Sequence, residues 1–283
     1  MWFDSPADVS RRLAGVDYLS DDAISTSVFL AAALGKPLLV EGPAGVGKTQ
    51  LAKAVAQATG SELVRLQCYE GLDEARALYE WNYKKQLLRI QATSADDDIF
   101  GEEFLLERPL LKAIRATHPT VLLIDEMDKA DVEVEGLLLE LLSDFQVTIP
   151  ELGTITAARK PYVVLTSNAT RELSEALKRR CLYLHIEYPT PERERDILMK
   201  QVPTITQSLA EQLARTVATL RALELKKAPS VAETVDWANT LLALGRDDLD
   251  EATMAGTLGV VLKHVSDQTR AVKELGLPDV ADR

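Results

Sequence analysis

Gly42-Pro43-Ala44-Gly45-Val46-Gly47-Lys48-Thr49 stands between an apolar run, Pro37-Leu38-Leu39-Val40-Glu41, and an alanine-rich stretch, Gln50-Leu51-Ala52-Lys53-Ala54-Val55-Ala56. The octet fits G-x-x-x-x-G-K-[ST], a loop that joins a strand to a helix and cradles phosphate. Its glycines let successive N–H groups turn inward, and the helix start adds partial positive charge. Lys48 has the reach for the β- and γ-phosphates, and Thr49 offers a hydroxyl to Mg²⁺. The nucleotide-binding candidates are therefore Gly42, Pro43, Ala44, Gly45, Val46, Gly47, Lys48, Thr49 and Gln50. An ordinary tight strand–helix turn is the competing reading.

Working outward, four more short apolar runs bounded by turns read as buried strands: Glu62 to Gln67, Val121 to Asp125, Tyr162 to Thr166 and Leu182 to Glu187. Helical stretches separate them. The alternation predicts an α/β fold with a five-stranded, mostly parallel sheet. Upstream, residues 7 to 35 read as two helices, with Ser20 as N-cap of the second. Pro189 and Pro191 mark a boundary, so residues 1–190 form the nucleotide-binding domain and 191–283 a smaller all-helical one. The latter divides into helices at Glu192 to Gln201, Ile205 to Leu223, Ser230 to Leu244 and Asp247 to Ser266, with a loose tail from 276. Two insertions interrupt the first domain. Residues 68–107 carry Tyr69, Tyr79, Trp81, Tyr83 and the acidic run Asp96-Asp97-Asp98, a solvated loop or a partner contact. Residues 145–157 alternate β-formers around a glycine turn and read as a hairpin. The aromatics could grip a client in a central pore or pack the insertion onto its own domain.

Val121-Leu122-Leu123-Ile124-Asp125-Glu126 ends a strand in two carboxylates. Beside a phosphate loop, such a strand delivers its C-terminal end to the ligand crevice. Asp125 would support Mg²⁺ with Thr49, and Glu126 would polarise the attacking water. Asn168, closing Val163-Val164-Leu165-Thr166-Ser167-Asn168, could orient that water or simply form a turn. Arg179 and Arg180 are surface charges or, in an oligomer, a source of positive charge for the neighbour's nucleotide. No N-K-x-D element for guanine is present, so adenine is the expected base.

In this order, the loop, Asp125-Glu126, Asn168 and the helical C-terminal part resemble the AAA+ ATPases. The wording Leu39-Val40-Glu41-Gly42-Pro43-Ala44-Gly45-Val46-Gly47-Lys48-Thr49 and the hairpin before the Asn168 strand look like the MoxR branch. Leu66 to Asp73, Tyr79 to Tyr83, and Leu141 to Glu151 are similar to its CoxD-type subgroup. The resemblance covers roughly residues 15 to 245. It implies a P-loop AAA+ domain with a helical lid, binding ATP and Mg²⁺ between the two, with Tyr18 near the base. It implies a homo-oligomer, usually a hexameric ring, acting as a chaperone on client proteins. A partner with a von Willebrand factor A domain is typical, and a molybdenum hydroxylase such as carbon monoxide dehydrogenase is a candidate client. Arg180 aligns with the family's arginine finger, with Arg179 as alternative. Asn168 then senses the γ-phosphate, and Lys48, Glu126, Asn168 and Arg180 form the catalytic set. One departure stands out: Lys227-Ala228-Pro229-Ser230-Val231-Ala232-Glu233 lacks the second sensor arginine; Lys226 or Lys227 could substitute, though neither matches residue for residue, and Ser230 to Glu233 reads as a capping box.

The chain of 283 residues carries a net charge of −12, which disfavours a broad nucleic-acid interface. Its two cysteines, Cys68 and Cys181, read as reduced thiols, and its three histidines are too scattered for a metal site. The first residues lack the pattern of a signal peptide, and no apolar run approaches a membrane span. The expectation is a cytoplasmic protein. Two rival readings are a nucleotide-gated scaffold without useful turnover and a DNA-associated AAA+ ATPase.

Overall fold

The computed structural model describes residues 2–92 and 99–278, so the Asp96–Asp98 run lies outside the described residues. Two compact units divide the described residues: those within 1–42 and 48–185, and those within 43–47 and 186–283.

The first unit opens with helices α1 (Pro6–Ala14) and α2 (Asp22–Leu34), then strand β1 (Leu38–Glu41), α3 (Lys48–Thr59) and β2 (Glu62–Gln67). The insertion that follows contains α4 (Glu74–Ala77), β3 (Tyr79–Trp81), α5 (Tyr83–Ala92) and β4 (Leu105–Glu107). Next come α6 (Pro109–Arg115), β5 (Thr120–Asp125), α7 (Val132–Asp144), the hairpin of β6 (Gln146–Ile149) and β7 (Gly153–Thr156), β8 (Tyr162–Ser167), α8 (Glu175–Lys178) and β9 (Leu182–His185). Five strands form one parallel sheet in the order β2-β5-β8-β1-β9. Every residue of β5 and β8 is buried, so both sheet faces are covered at the centre. That is why these strands read as unbroken apolar runs rather than alternating ones. Leu39, Leu122, Ile124, Val163 and Leu165 share one core with Ile114, Leu138 and Leu141.

The second unit is helical: α9 (Pro191–Gln201), α10 (Gln207–Ala222), α11 (Val231–Ala243), α12 (Glu251–Thr257) and α13 (Val265–Leu275). Thr190 caps α9 by accepting the Arg193 N–H, and Pro191 at the first helical position loses no bond there. Ser230 and Glu233 form a complete capping box on α11, as the sequence suggests. Leu209, Leu213, Val217, Trp237 and Leu241 make the core of this unit.

Two helix boundaries differ from expectation. The N-cap of α2 is Asp21, whose Oδ1 accepts the Ile24 N–H at 2.8 Å, while Ser20 Oγ pairs with Ser25 Oγ. Ser20 stands one residue too early to reach that donor. The helix expected from Asp247 to Ser266 is instead α12, a 3-10 turn at Leu258–Val260, and α13. Gly256 and Gly259 weaken a continuous helix there. Trp237 Nε1 also donates to Thr257 Oγ1 at 2.8 Å, fixing the chain at the break. In the insertion, Trp81 is buried between Tyr79 and Phe100, edge to face with both, whereas Tyr83 is exposed. Packing therefore accounts for Tyr79 and Trp81. Among the described residues no helix is long and apolar enough to cross a membrane.

Candidate functional site

β5, β8 and β1 are neighbours in the sheet, and their C-terminal ends deliver Asp125, Asn168 and the start of the phosphate loop side by side. Gly42 N–H bonds the Ser167 carbonyl, continuing the β1–β8 pairing into the loop. Lys48 begins α3 and is only 6% exposed. Its Nζ donates to the Gly42 carbonyl at 2.6 Å and to Asn168 Oδ1 at 2.8 Å. Burial lowers its pKa, against the opposing pull of Asp128, Asp125, Glu126 and Glu41. An ammonium donor of this kind makes strong charge-assisted hydrogen bonds to phosphate oxygens.

Asp125 is 1% exposed, and both its oxygens are engaged. Oδ1 accepts Thr49 Oγ1 at 2.9 Å and Thr166 Oγ1 at 2.5 Å; Oδ2 accepts Arg65 Nε at 3.1 Å and Nη2 at 2.6 Å. Glu126 adopts a left-handed backbone with φ 57°, unusual for a residue with a side chain. Its N–H donates to Thr166 Oγ1 at 2.9 Å, which holds the turn. Its Oε2 accepts Gln67 Nε2 at 2.8 Å and Lys129 Nζ at 2.7 Å.

Lys48, Thr49, Asp125, Glu126 and Asn168 thus lie in one hydrogen-bonded neighbourhood. Arg180 lies elsewhere: its Nε donates to Ser143 Oγ on α7 and its Nη1 to the Ala176 carbonyl at 2.9 Å. Arg179 is an exposed residue at the end of α8. Tyr18 is buried on the α1–α2 connection, where its N–H bonds the Leu13 carbonyl. Gln50 is exposed on α3.

Residues 43–47 cluster with the helical unit. The Val231 N–H, one of the donors that a helix start leaves without an intrahelical partner, bonds the Gly45 carbonyl at 3.2 Å. Gly45 has φ +75°, and a Cβ there would stand 2.2 Å from Ser230 Cβ. Where a second sensor arginine is missing from the sequence, backbone contact meets the loop. Beneath that cap, Arg221 is buried. It forks onto Glu194 at 2.5 and 2.9 Å, donates to the Pro229 carbonyl at 2.8 Å, and lies 4.3 Å from the Tyr188 ring centroid.

Sequence reasoning missed Arg65, Gln67, Thr166, Asp128, Lys129 and Arg221. A signal existed for two of them. Arg65 and Gln67 alternate on β2, and the register pairs Gln67 with Asp125. Asp128 and Lys129 depend on a turn whose path no local pattern reveals, and Thr166 and Arg221 on which neighbours their strand and helix meet.

Among the described residues no group of three or more His, Cys, Asp or Glu could hold a metal alone. Thr49 and Asp125 instead offer adjacent hard oxygens, the donor type that suits Mg²⁺ sharing its shell with water and phosphate.

Relatives of the chain are found among bacterial proteins. An uncharacterized protein of Staphylococcus haemolyticus is 24% identical over 237 residues, covering 80% of this chain and 85% of its own length. An uncharacterized protein of Staphylococcus aureus is 26% identical over 175 residues, and the match spans 59% of this chain and 62% of that relative. Among solved structures, a point mutant of Thermotoga maritima RuvB aligns over 98% of this chain and 72% of its own, with 17% identity and a TM-score of 0.48. The family model described as AAA domain (dynein-related subfamily) matches residues 37–181, just over half of the sequence, and the chain belongs to that family.

Proposed function

We propose that this chain hydrolyses ATP with Mg²⁺ as one subunit of a homo-oligomeric ring and uses the cycle to remodel a client protein. The observation that carries the reading is the meeting of Lys48, Thr49, Asp125, Glu126 and Asn168 at the ends of three adjacent parallel strands. Lys48 exchanges Gly42 O and Asn168 Oδ1 for phosphate oxygens. Thr49 and Asp125 hold Mg²⁺, which supplies neutralisation of phosphate charge. Glu126 orients the attacking water, and Asn168 reports the γ-phosphate. Arg180 is tied to its own α7 rather than to this cluster, which supports its service to a neighbouring subunit.

The finer assignment rests on the resemblance of Leu66–Asp73, Tyr79–Tyr83 and Leu141–Glu151 to CoxD-type MoxR proteins. It makes a von Willebrand factor A domain protein the partner and a molybdenum hydroxylase the client class, while the reading of Cys68 and Cys181 as reduced thiols makes the cytoplasm the compartment. Steady-state ATP hydrolysis, compared among wild type, Lys48→Ala, Glu126→Gln and Arg180→Ala, tests the core claim. Equal background rates in all four defeat it. The engagement of Glu126 by Gln67 and Lys129 favours one other reading, a nucleotide-gated scaffold, and that same outcome combined with ATP-dependent assembly in light scattering would select it.

A further inference from the structure

We infer that Asp128 is a positioning residue that aims Asn168 at Lys48 and hence at the γ-phosphate, an inference that rests on the ATPase reading above. Asp128 sits on the 3-10 turn Met127–Lys129 that follows β5 and is 4% exposed. Its carboxylate faces the first residues after β8. Oδ1 accepts the Asn168 N–H at 3.1 Å, and Oδ2 accepts the Thr170 N–H at 3.2 Å and the Thr170 hydroxyl at 2.5 Å.

Between those two partners stands Ala169, in the left-handed region with φ 57°. A side chain disfavours that conformation, and it persists only where its surroundings over-determine it. Here they do: three donors converge on one buried carboxylate, and the Ala169 N–H itself bonds Ser167 Oγ at 3.0 Å. The turn fixes the direction in which the Asn168 side chain leaves the backbone. That direction brings its Oδ1 to 2.8 Å from Lys48 Nζ.

Burial would raise the Asp128 pKa, but the Thr170 hydroxyl and the backbone N–H groups outweigh it and hold the acid ionised. Asp128 therefore acts on the site through the backbone of Asn168.

The test is a double-mutant cycle between Asp128→Asn and Asn168→Ala. Two quantities are measured for each protein: kcat with KM for ATP, and the affinities for ATP and ADP by competition with a fluorescent ADP analogue in Mg²⁺. Each single variant should lose roughly tenfold or more in kcat and in its preference for ATP over ADP, with ADP affinity nearly unchanged. The double variant should fall no further than the worse single one, because the two residues act as a unit. Multiplicative losses, or an Asp128→Asn protein with unchanged kcat and preference, overturn the inference. If Asp128→Asn does not fold, Thr170→Val decides: it removes one donor to the carboxylate, and an unchanged ATP preference overturns the inference. A wild type that shows the expected affinity pattern but no Lys48-dependent turnover would sink the hydrolysis reading while leaving the role of Asp128 standing.

Discussion

Gly45→Ala is the change whose cost the geometry defines most sharply. At φ +75° an alanine pays the left-handed penalty of about 1–2 kcal/mol. Its Cβ would also stand 2.2 Å from Ser230 Cβ and 2.8 Å from Ser230 Oγ. Contacts that short require the loop or the α11 cap to move, and overpacking of this kind costs about 1–3 kcal/mol. The sum is about 2–5 kcal/mol. Ser230→Gly separates the two contributions. Alone it costs only a few tenths of a kcal/mol, because glycine is a tolerable N-cap. Combined with Gly45→Ala it clears the clash and should restore about 1–3 kcal/mol, leaving the backbone penalty in place. Urea unfolding followed by circular dichroism reads the stability, and ATP competition reads the loop, at tenfold in affinity for each 1.4 kcal/mol. Strict additivity of the two substitutions would refute the contact, as would a Gly45→Ala protein that matches wild type in both assays.

Glu194→Ala strands Arg221 in the core of the helical unit, and loss of one partner from a buried pair costs about 3–5 kcal/mol; the double change Glu194→Leu with Arg221→Met should recover most of it in the same unfolding assay. Lys129→Met removes one of the two donors to Glu126 Oε2. Both partners are partly exposed, so the pair is worth only about 0.3–0.5 kcal/mol, and basal ATP turnover should rise by about twofold; a tenfold change either way would contradict this assignment. Full burial of Cys68 and partial burial of Cys181 push their thiols up to about 12. They stay neutral where a free thiol ionises, so native protein should resist a thiol-specific disulfide reagent at pH 9 and react fully in guanidinium chloride. Rapid native labelling of both would show the burial to be wrong.

The centre of the sheet was legible because β5 and β8 are buried on both faces. Leu122, Leu123, Val164 and Leu165 have no polar neighbours to interrupt them, so each strand announces itself as a run. The helical unit was legible where Pro191 opens α9 and where Ser230 and Glu233 make the capping box of α11. It failed at Asp247 to Ser266, where the break depends on Trp237 reaching Thr257 from another helix. The site divides in the same way. Lys48, Thr49, Asp125 and Glu126 stand in motifs whose spacing the chemistry dictates. Asp128, Thr166 and Arg65 reach the site through turns and cross-strand register, and those arise only when the chain has folded.

The path from Asn168 to Arg180 shows why that hidden layer matters. Asn168 and Thr170 are pinned by Asp128, and the next stretch by a second buried acid. Glu135, 2% exposed on α7, accepts the Ser174 N–H at 2.9 Å and lies 2.7 Å from Arg171 Nη2. Arg171 Nη2 also donates to the Ala130 carbonyl at 2.7 Å, and Ser174 caps α8. α8 leads into Arg180, whose Nε bonds Ser143 on the same α7. The stretch from Arg171 to Arg180, between the residue proposed to sense the γ-phosphate and the residue proposed to serve the neighbour, is therefore fastened to α7 at both ends. A flexible connection would let Asn168 move without consequence for Arg180. A fastened one makes α7 and α8 move together, so a displacement at Asn168 has its outlet at Arg180. Loss of Glu135 should accordingly weaken the dependence of turnover on Arg180 while sparing nucleotide affinity, because the fastening it supplies lies beyond Asn168 on the side away from the phosphate.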